Sequence, residues 1–239
     1  MRTVKLGILI GTMTFMAACG GSDGPTSPAA DGTETTYTGV FVTGSQSGSF
    51  EISASNAAAS LRFPGGAGIH AASGSTRSAH GTIRIAGGTT TSVTGTFNPA
   101  TGAFTLTGGS ITLAVTVDAN SQVSGTITVS GASGSASGIV STSTTSAVRY
   151  CGTYAGSTSG RLNVTVAGAV VIGVAAENGG PGGIVLTGTL SGTTVTIHWI
   201  PDPGELGTAT GTISATGISN GTWSSTEGES GTWTATAGC

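Results

Sequence analysis

Few residues in this chain are able to do chemistry, and most of them stand apart from one another. Three histidines are present. His70 and His80 flank a Gly/Ser/Ala stretch that contains Arg77. Two imidazoles so close in sequence are the start of a metal site, but no carboxylate or Cys accompanies them at ligand spacing. His198 stands between Ile197 and Trp199, so strand alternation turns it to solvent. Carboxylates occur as two short pairs. Asp202 and Glu205 lie in the rigid turn Pro201-Asp202-Pro203-Gly204-Glu205, and Glu227 and Glu229 lie in a hairpin between two Trp-bearing strands. Paired carboxylates carry out glycoside hydrolysis or hold Ca²⁺. On a charge-poor surface, loop carboxylates serve first to keep the protein in solution. There is no G-x-S-x-G nucleophile elbow despite the abundance of Gly and Ser. Gly66-Ala67-Gly68-Ile69-His70-Ala71 imitates a dinucleotide fingerprint, but no βαβ unit surrounds it and it reads as a turn. The expectation is a protein with no catalytic residues, no metal, no cofactor and no enzymatic activity.

The three cysteines carry more information. Cys19 follows a segment of its own kind: Arg2 and Lys5 give a positive start, and Leu6 to Ala18 is mostly apolar but short for a bilayer span. That segment ends Met16-Ala17-Ala18-Cys19-Gly20, with the small residues a signal peptidase requires. These residues resemble the lipobox of bacterial lipoproteins, with Met16 where Leu is usual. The resemblance covers only the first twenty or so residues. It implies that the peptide is cut before Cys19, that the Cys19 thiol carries diacylglycerol, and that the new amine is acylated, typically by palmitate. Several acyl chains anchor firmly where one binds only marginally. Gly20 stands where an inner-membrane retention signal has Asp, so the resemblance implies an outer-membrane address in a Gram-negative cell. The sequons Asn163-Val164-Thr165 and Asn220-Gly221-Thr222 are coincidental in such a protein.

With Cys19 given to lipid, Cys151 and Cys239 remain, bracketing the second half of the chain. In an oxidising space outside the cytoplasm, two leftover cysteines read as one disulfide. Two free thiols, or an intermolecular bridge through Cys239, are the alternatives. A bridge needs Cα atoms within about 7 Å, so the first and last strands of this half should be neighbours, as in a closed barrel.

The elements that must position these residues follow from composition. Gly numbers 43, charged residues make up 7% and the net charge is −3, which excludes a disordered polyelectrolyte. Leu, Glu, Lys and Arg are too scarce for a helical bundle. Removal of the leader leaves five Arg and no Lys against ten acidic residues, a balance of about −5. Lys-dependent nucleophiles and P-loops are thereby excluded, and so is a nucleic-acid partner, which needs clustered cations. Residues 19–36 are Gly, Ser, Pro, Thr and Asp without apolar period and read as a flexible tether.

From Tyr37 onward, short alternating runs recur between Gly, Ser, Asn or Pro. Ser49-Phe50-Glu51-Ile52, Thr82-Ile83-Arg84-Ile85, Phe104-Thr105-Leu106, Arg161-Leu162-Asn163-Val164-Thr165-Val166 and Thr194-Val195-Thr196-Ile197-His198-Trp199 are examples. Period-two alternation predicts strands with one buried and one wet face. Asn56 to Ser60 is the only helix-tolerant patch. The halves resemble each other: Tyr37-Thr38-Gly39 matches Tyr154-Ala155-Gly156, Val93-Thr94-Gly95-Thr96-Phe97 matches Leu186-Thr187-Gly188-Thr189-Leu190, and Val123-Ser124-Gly125-Thr126-Ile127 matches Ala209-Thr210-Gly211-Thr212-Ile213. An internal duplication is expected. In each unit the glycine shares the apolar face, as Gly221 does with Trp223 and Gly231 with Trp233, which suggests room made for a bulky neighbour or sharp curvature.

The predicted fold is all-β: two related antiparallel β-meander modules, each a small up-and-down barrel or sandwich of about eight strands, with no helix beyond the signal peptide. One larger closed meander also fits. A transmembrane barrel does not, because the strands are short and their outer faces Thr-rich. The domains expected are signal peptide 1–18, tether 19–36, first module 37–148 and second module 149–239. The function expected is a non-enzymatic, lipid-anchored envelope protein that binds an envelope protein or glycan, or acts as a coat. The alternatives are a carrier of a small apolar ligand inside a barrel, a hydrolase using loop carboxylates, and a Thr-ladder surface. An interior void separates the carrier from the coat.

Overall fold

The computed structural model describes residues 34–55, 76–142, 146–180, 182–199 and 207–239. The signal peptide, Cys19, most of the tether, the patch Asn56–Ser60, the turn 66–71 with His70, and Asp202 and Glu205 lie outside the described residues. Among the described residues there is no helix, and none long and apolar enough to cross a membrane.

Sixteen strands form two closed barrels of eight. The first runs β1 (Thr35–Thr43), β2 (Ser47–Ala54), β3 (Arg77–Ile85), β4 (Thr90–Asn98), β5 (Ala103–Gly108), β6 (Ile111–Val117), β7 (Gln122–Val129) and β8 (Ala132–Ser141). The second runs β9 (Ala147–Gly156), β10 (Gly160–Ala167), β11 (Val170–Glu177), β12 (Ile184–Ser191), β13 (Thr194–Trp199), β14 (Gly207–Ile213), β15 (Gly217–Ser225) and β16 (Ser230–Ala237). Each strand pairs antiparallel with its neighbours in sequence, and β8 closes on β1 as β16 closes on β9. The fold is therefore two up-and-down barrels, not sandwiches or one large meander. β1 takes in Thr35 and Thr36 from the segment read as tether, and β9 begins at Ala147.

The cores lie inside the barrels. Phe41, Phe50, Ile83, Leu106, Leu113 and Ile127 fill the first, and Leu162, Val164, Leu186, Ile197 and Trp233 the second. Outward positions of β4 to β7 and of β12 to β16 are largely exposed Thr and Ser. A membrane-spanning barrel carries the opposite arrangement, apolar outside and polar within.

Glycines build the curvature. A Cβ at Gly95, Gly188 or Gly231 would strike the backbone carbonyl of the adjoining strand. Six glycines also stand in register with an aromatic on the next strand: Gly39 with Phe50, Gly48 with Phe41, Gly160 with Tyr154, Gly207 with Trp199, Gly231 with Trp223 and Gly221 with Trp233. Each ring lies against the bare Cα of its partner, the device by which an aromatic covers a strand glycine. The inward assignment of these glycines is borne out, and its cause is the close approach of coiled strands.

The pairs also correct the matching of the halves. Phe41–Gly48 and Tyr154–Gly160 both join first strand to second. Tyr37-Thr38-Gly39 therefore corresponds to Tyr150-Cys151-Gly152, not to Tyr154-Ala155-Gly156. Gly95 faces Leu106 from the fourth strand as Gly188 faces Ile197 from the equivalent strand. Val123–Ile127 falls on a seventh strand but Ala209–Ile213 on a sixth, so that match does not hold. A shared x-x-Gly-Thr-x spelling does not fix which strand carries it.

A second correction concerns the wet face. Arg161–Val166 was expected to have one, yet Asn163 and Thr165 are fully buried. The outer faces of β1 and β8 pack against those of β10 and β11, with Val40 and Val42 on Val174 and Ala176, and Ile139 on Ala167 and Ile172. Continuous apolar runs such as Val40-Phe41-Val42 mark strands buried on both faces. Asn163 fastens the junction: its Nδ2 donates to the Phe41 carbonyl at 2.8 Å, and its Oδ1 accepts from the Gly152 N–H at 3.2 Å.

Candidate functional site

Cys151 and Cys239 form the disulfide expected, with Cα atoms 5.6 Å apart. Cys151 faces outward on β9, whose partner β16 ends beside it. The Ser49 hydroxyl of the first barrel donates to the Cys239 carbonyl at 2.7 Å. The bridge thus sits where the end of the chain meets both barrels.

The chemistry-bearing residues singled out in the sequence mostly stay scattered. His198 is exposed on β13 and pairs its Nδ1 with the Thr208 hydroxyl at 3.3 Å. His80 is on β3, its Nε2 3.8 Å from a Glu34 carboxylate oxygen, both side chains open to solvent. Sequence spacing hid that carboxylate because strand pairing, not proximity in the chain, brings it near. No group of three metal-ligating side chains occurs among the described residues. Glu227 is exposed at the tip of the β15–β16 hairpin, whereas Glu229 reaches the barrel mouth. Asn163 has no exposure and its amide is spent on the barrel junction, so it is no glycan acceptor.

One mouth of the second barrel holds a cavity of about 350 Å³, within the range of small-molecule sites, roughly 300–1,000 Å³. It lies at the end where β9, β11, β13 and β15 finish. Side chains of alternate residues face inward, so the last inward side chains of β9, β11 and β13, leaving out the glycine Gly156, are Tyr154, Glu177 and Trp199 near that rim. Leu162, Ile184 and Leu186 make the floor. Tyr154, Trp199 and Trp223 make the wall, and Glu177, Glu229, Thr158 and Ser225 stand at the rim.

The wall is fixed. Trp223 meets Tyr154 edge-on with centroids 5.8 Å apart and Trp199 at 6.4 Å. Its indole N–H donates to the Ala155 carbonyl at 3.3 Å. Below it, Trp233 is anchored by its N–H on the Thr210 carbonyl at 2.9 Å. In the first barrel the aromatics close up instead: Phe97 and Phe104 are 4.4 Å apart, and Tyr37 meets Phe104 at 5.6 Å.

The electrostatics of the mouth are negative. Burial pushes the Tyr154 phenol up from its ordinary range, and the carboxylates of Glu177 and Glu229 push it further while a hydrogen bond with Thr158 opposes them. Tyr154 therefore stays neutral at any ordinary pH. Among the described residues no Arg lines the cavity, and neither Glu177 nor Glu229 has an ion-pair partner.

Sequence reasoning placed Trp223 inside and considered Glu229 only with Glu227. It missed Tyr154, Glu177 and Trp199 as companions. The available signal was the alternation itself, carried to the last inward position of every second strand.

No family model matches the chain, and no curated protein or solved structure is significantly similar to it.

Proposed function

We propose that this is a non-enzymatic, lipid-anchored cell-envelope protein that takes a small ligand into the mouth of its second barrel. The observation that carries the reading is the cavity walled by Tyr154, Trp199 and Trp223 and floored by Leu162, Ile184 and Leu186. A coat has no use for such a recess, and a carrier requires one. The anchor rests on the lipobox resemblance: acyl chains on Cys19 hold the protein to the membrane, the outer one in a Gram-negative cell, and the segment after Cys19 tethers the barrels. The first barrel, packed through Val40, Val42 and Ile139 onto the second, acts as its support. The two barrels descend from one duplicated module; their common eight-strand meander and the Phe41–Gly48 and Tyr154–Gly160 pairs support this.

Native mass spectrometry of the mature protein, extracted gently from its own envelope, tests the ligand. The expected result is a reproducible adduct of a few hundred daltons beyond the acyl chains, absent in Trp199→Ala. A mass without adduct in the wild-type protein overturns the reading. Cys19→Ser should move the protein from the membrane fraction to the soluble fraction, and unchanged fractionation removes the anchor.

A further inference from the structure

We propose that the ligand of the second barrel is an organic cation: a substituted ammonium group on a small apolar body. The inference rests on the reading of this cavity as a ligand site and deepens it. Three aromatic rings, Tyr154, Trp199 and Trp223, line one cavity, with Trp223 edge-on to Tyr154 at 5.8 Å and to Trp199 at 6.4 Å. Aromatic faces carry negative potential, and a ring of them is the known way to hold an alkylated ammonium that offers few or no hydrogen bonds. Glu177 and Glu229 place two carboxylates at the rim, one at the end of β11 and one in the β15–β16 connection, with no ion-pair partner among the described residues. Leu162, Ile184 and Leu186 beneath take an apolar substituent.

Other ligand chemistries fit less well. An anion would meet two carboxylates and, among the described residues, no Arg. A neutral sugar can stack on the wall, but it carries no charge to meet the two carboxylates. An uncharged hydrocarbon would use the floor and leave the carboxylates without purpose. A cation uses both. The open mouth also lets the charge remain partly hydrated, so its desolvation cost stays moderate.

The test is calorimetric titration of the full mature protein in detergent with three probes of similar size: benzyltrimethylammonium, benzyl alcohol and benzoate. The cation is expected to bind more than about tenfold tighter than the alcohol, and benzoate not at all. Glu177→Gln with Glu229→Gln should weaken the cation about tenfold and leave the alcohol unchanged. Both substitutions are at the rim, and an unchanged urea midpoint verifies the fold. Trp199→Leu should weaken the cation more than the alcohol. Equal binding of alcohol and cation overturns the cation assignment while the cavity remains a ligand site. Failure of all three probes also overturns it, and the native-mass adduct then decides the ligand site separately. Displacement of bound probe by phosphatidylcholine vesicles, but not by phosphatidylglycerol vesicles, assigns the ammonium to a lipid headgroup. Retention of the probe against both assigns it to a free solute.

Discussion

Gly188→Val isolates the packing that curves the second barrel. Gly188 has no positive φ, so its backbone suits any residue, and local preference favours the change. Valine recovers glycine's entropic cost of about 0.5–1 kcal/mol and carries a strand preference worth at most about 1 kcal/mol. Against this, a Cβ at Gly188 would press on the Thr196 carbonyl, with Ile197 Cα and Thr196 C both at 3.0 Å. All three are backbone atoms of a paired strand and cannot rotate away. Overpacking of a filled core costs about 1–3 kcal/mol, and valine's two methyls put the change toward the upper part. The expected net loss is about 1–2 kcal/mol, or roughly 2–8 °C in Tm for a body of this size. Urea unfolding followed by tryptophan fluorescence reads it directly, because Trp199, Trp223 and Trp233 all lie in the second barrel. Thr187→Val, on the exposed face one residue earlier, is the control and should change stability by less than about 0.5 kcal/mol. A Gly188→Val midpoint at or above wild type, with the slope unchanged, would refute the close-approach account of these glycines.

The other predictions concern the bridge, the junction and alkaline pH. Replacing Cys151 and Cys239 by Ser opens a loop of 88 residues and should cost about 2–5 kcal/mol by urea unfolding; a smaller loss would mean the reduced chain is already constrained when unfolded. Asn163→Ala leaves the buried Phe41 carbonyl and Gly152 N–H short of a partner. It should cost about 1–3 kcal/mol, whereas a neutral result would show that the barrels do not depend on this bond. Tyr37, Tyr150 and Tyr154 all have phenols raised above the ordinary 10.0, chiefly by burial. The unfolded chain then ionises first, so their contribution is complete below that value and is lost as pH rises through the folded values. Tm should be flat up to about pH 9.5 and fall beyond about pH 10, and tyrosinate absorbance should rise together with unfolding.

The class of fold was legible because its cause is local. Alternation in Thr194–Trp199 or Val93–Phe97 states which side chains share a face, and glycines on that face announce curvature. The pair Cys151 and Cys239 carried closure of the second barrel, since a bridge brings its first and last strands together. What remained hidden depends on partners distant in sequence. Asn163 and Thr165 alternate as a wet face would, and only the second barrel's contact with Val40 and Val42 buries them. Tyr154, Glu177, Trp199 and Trp223 sit on four strands, each unremarkable in its own run. Closure of the sheet places their ends on one rim, and register sets which inward residue comes last. Periodicity decides the face of a strand; only the closed barrel decides which faces and ends meet.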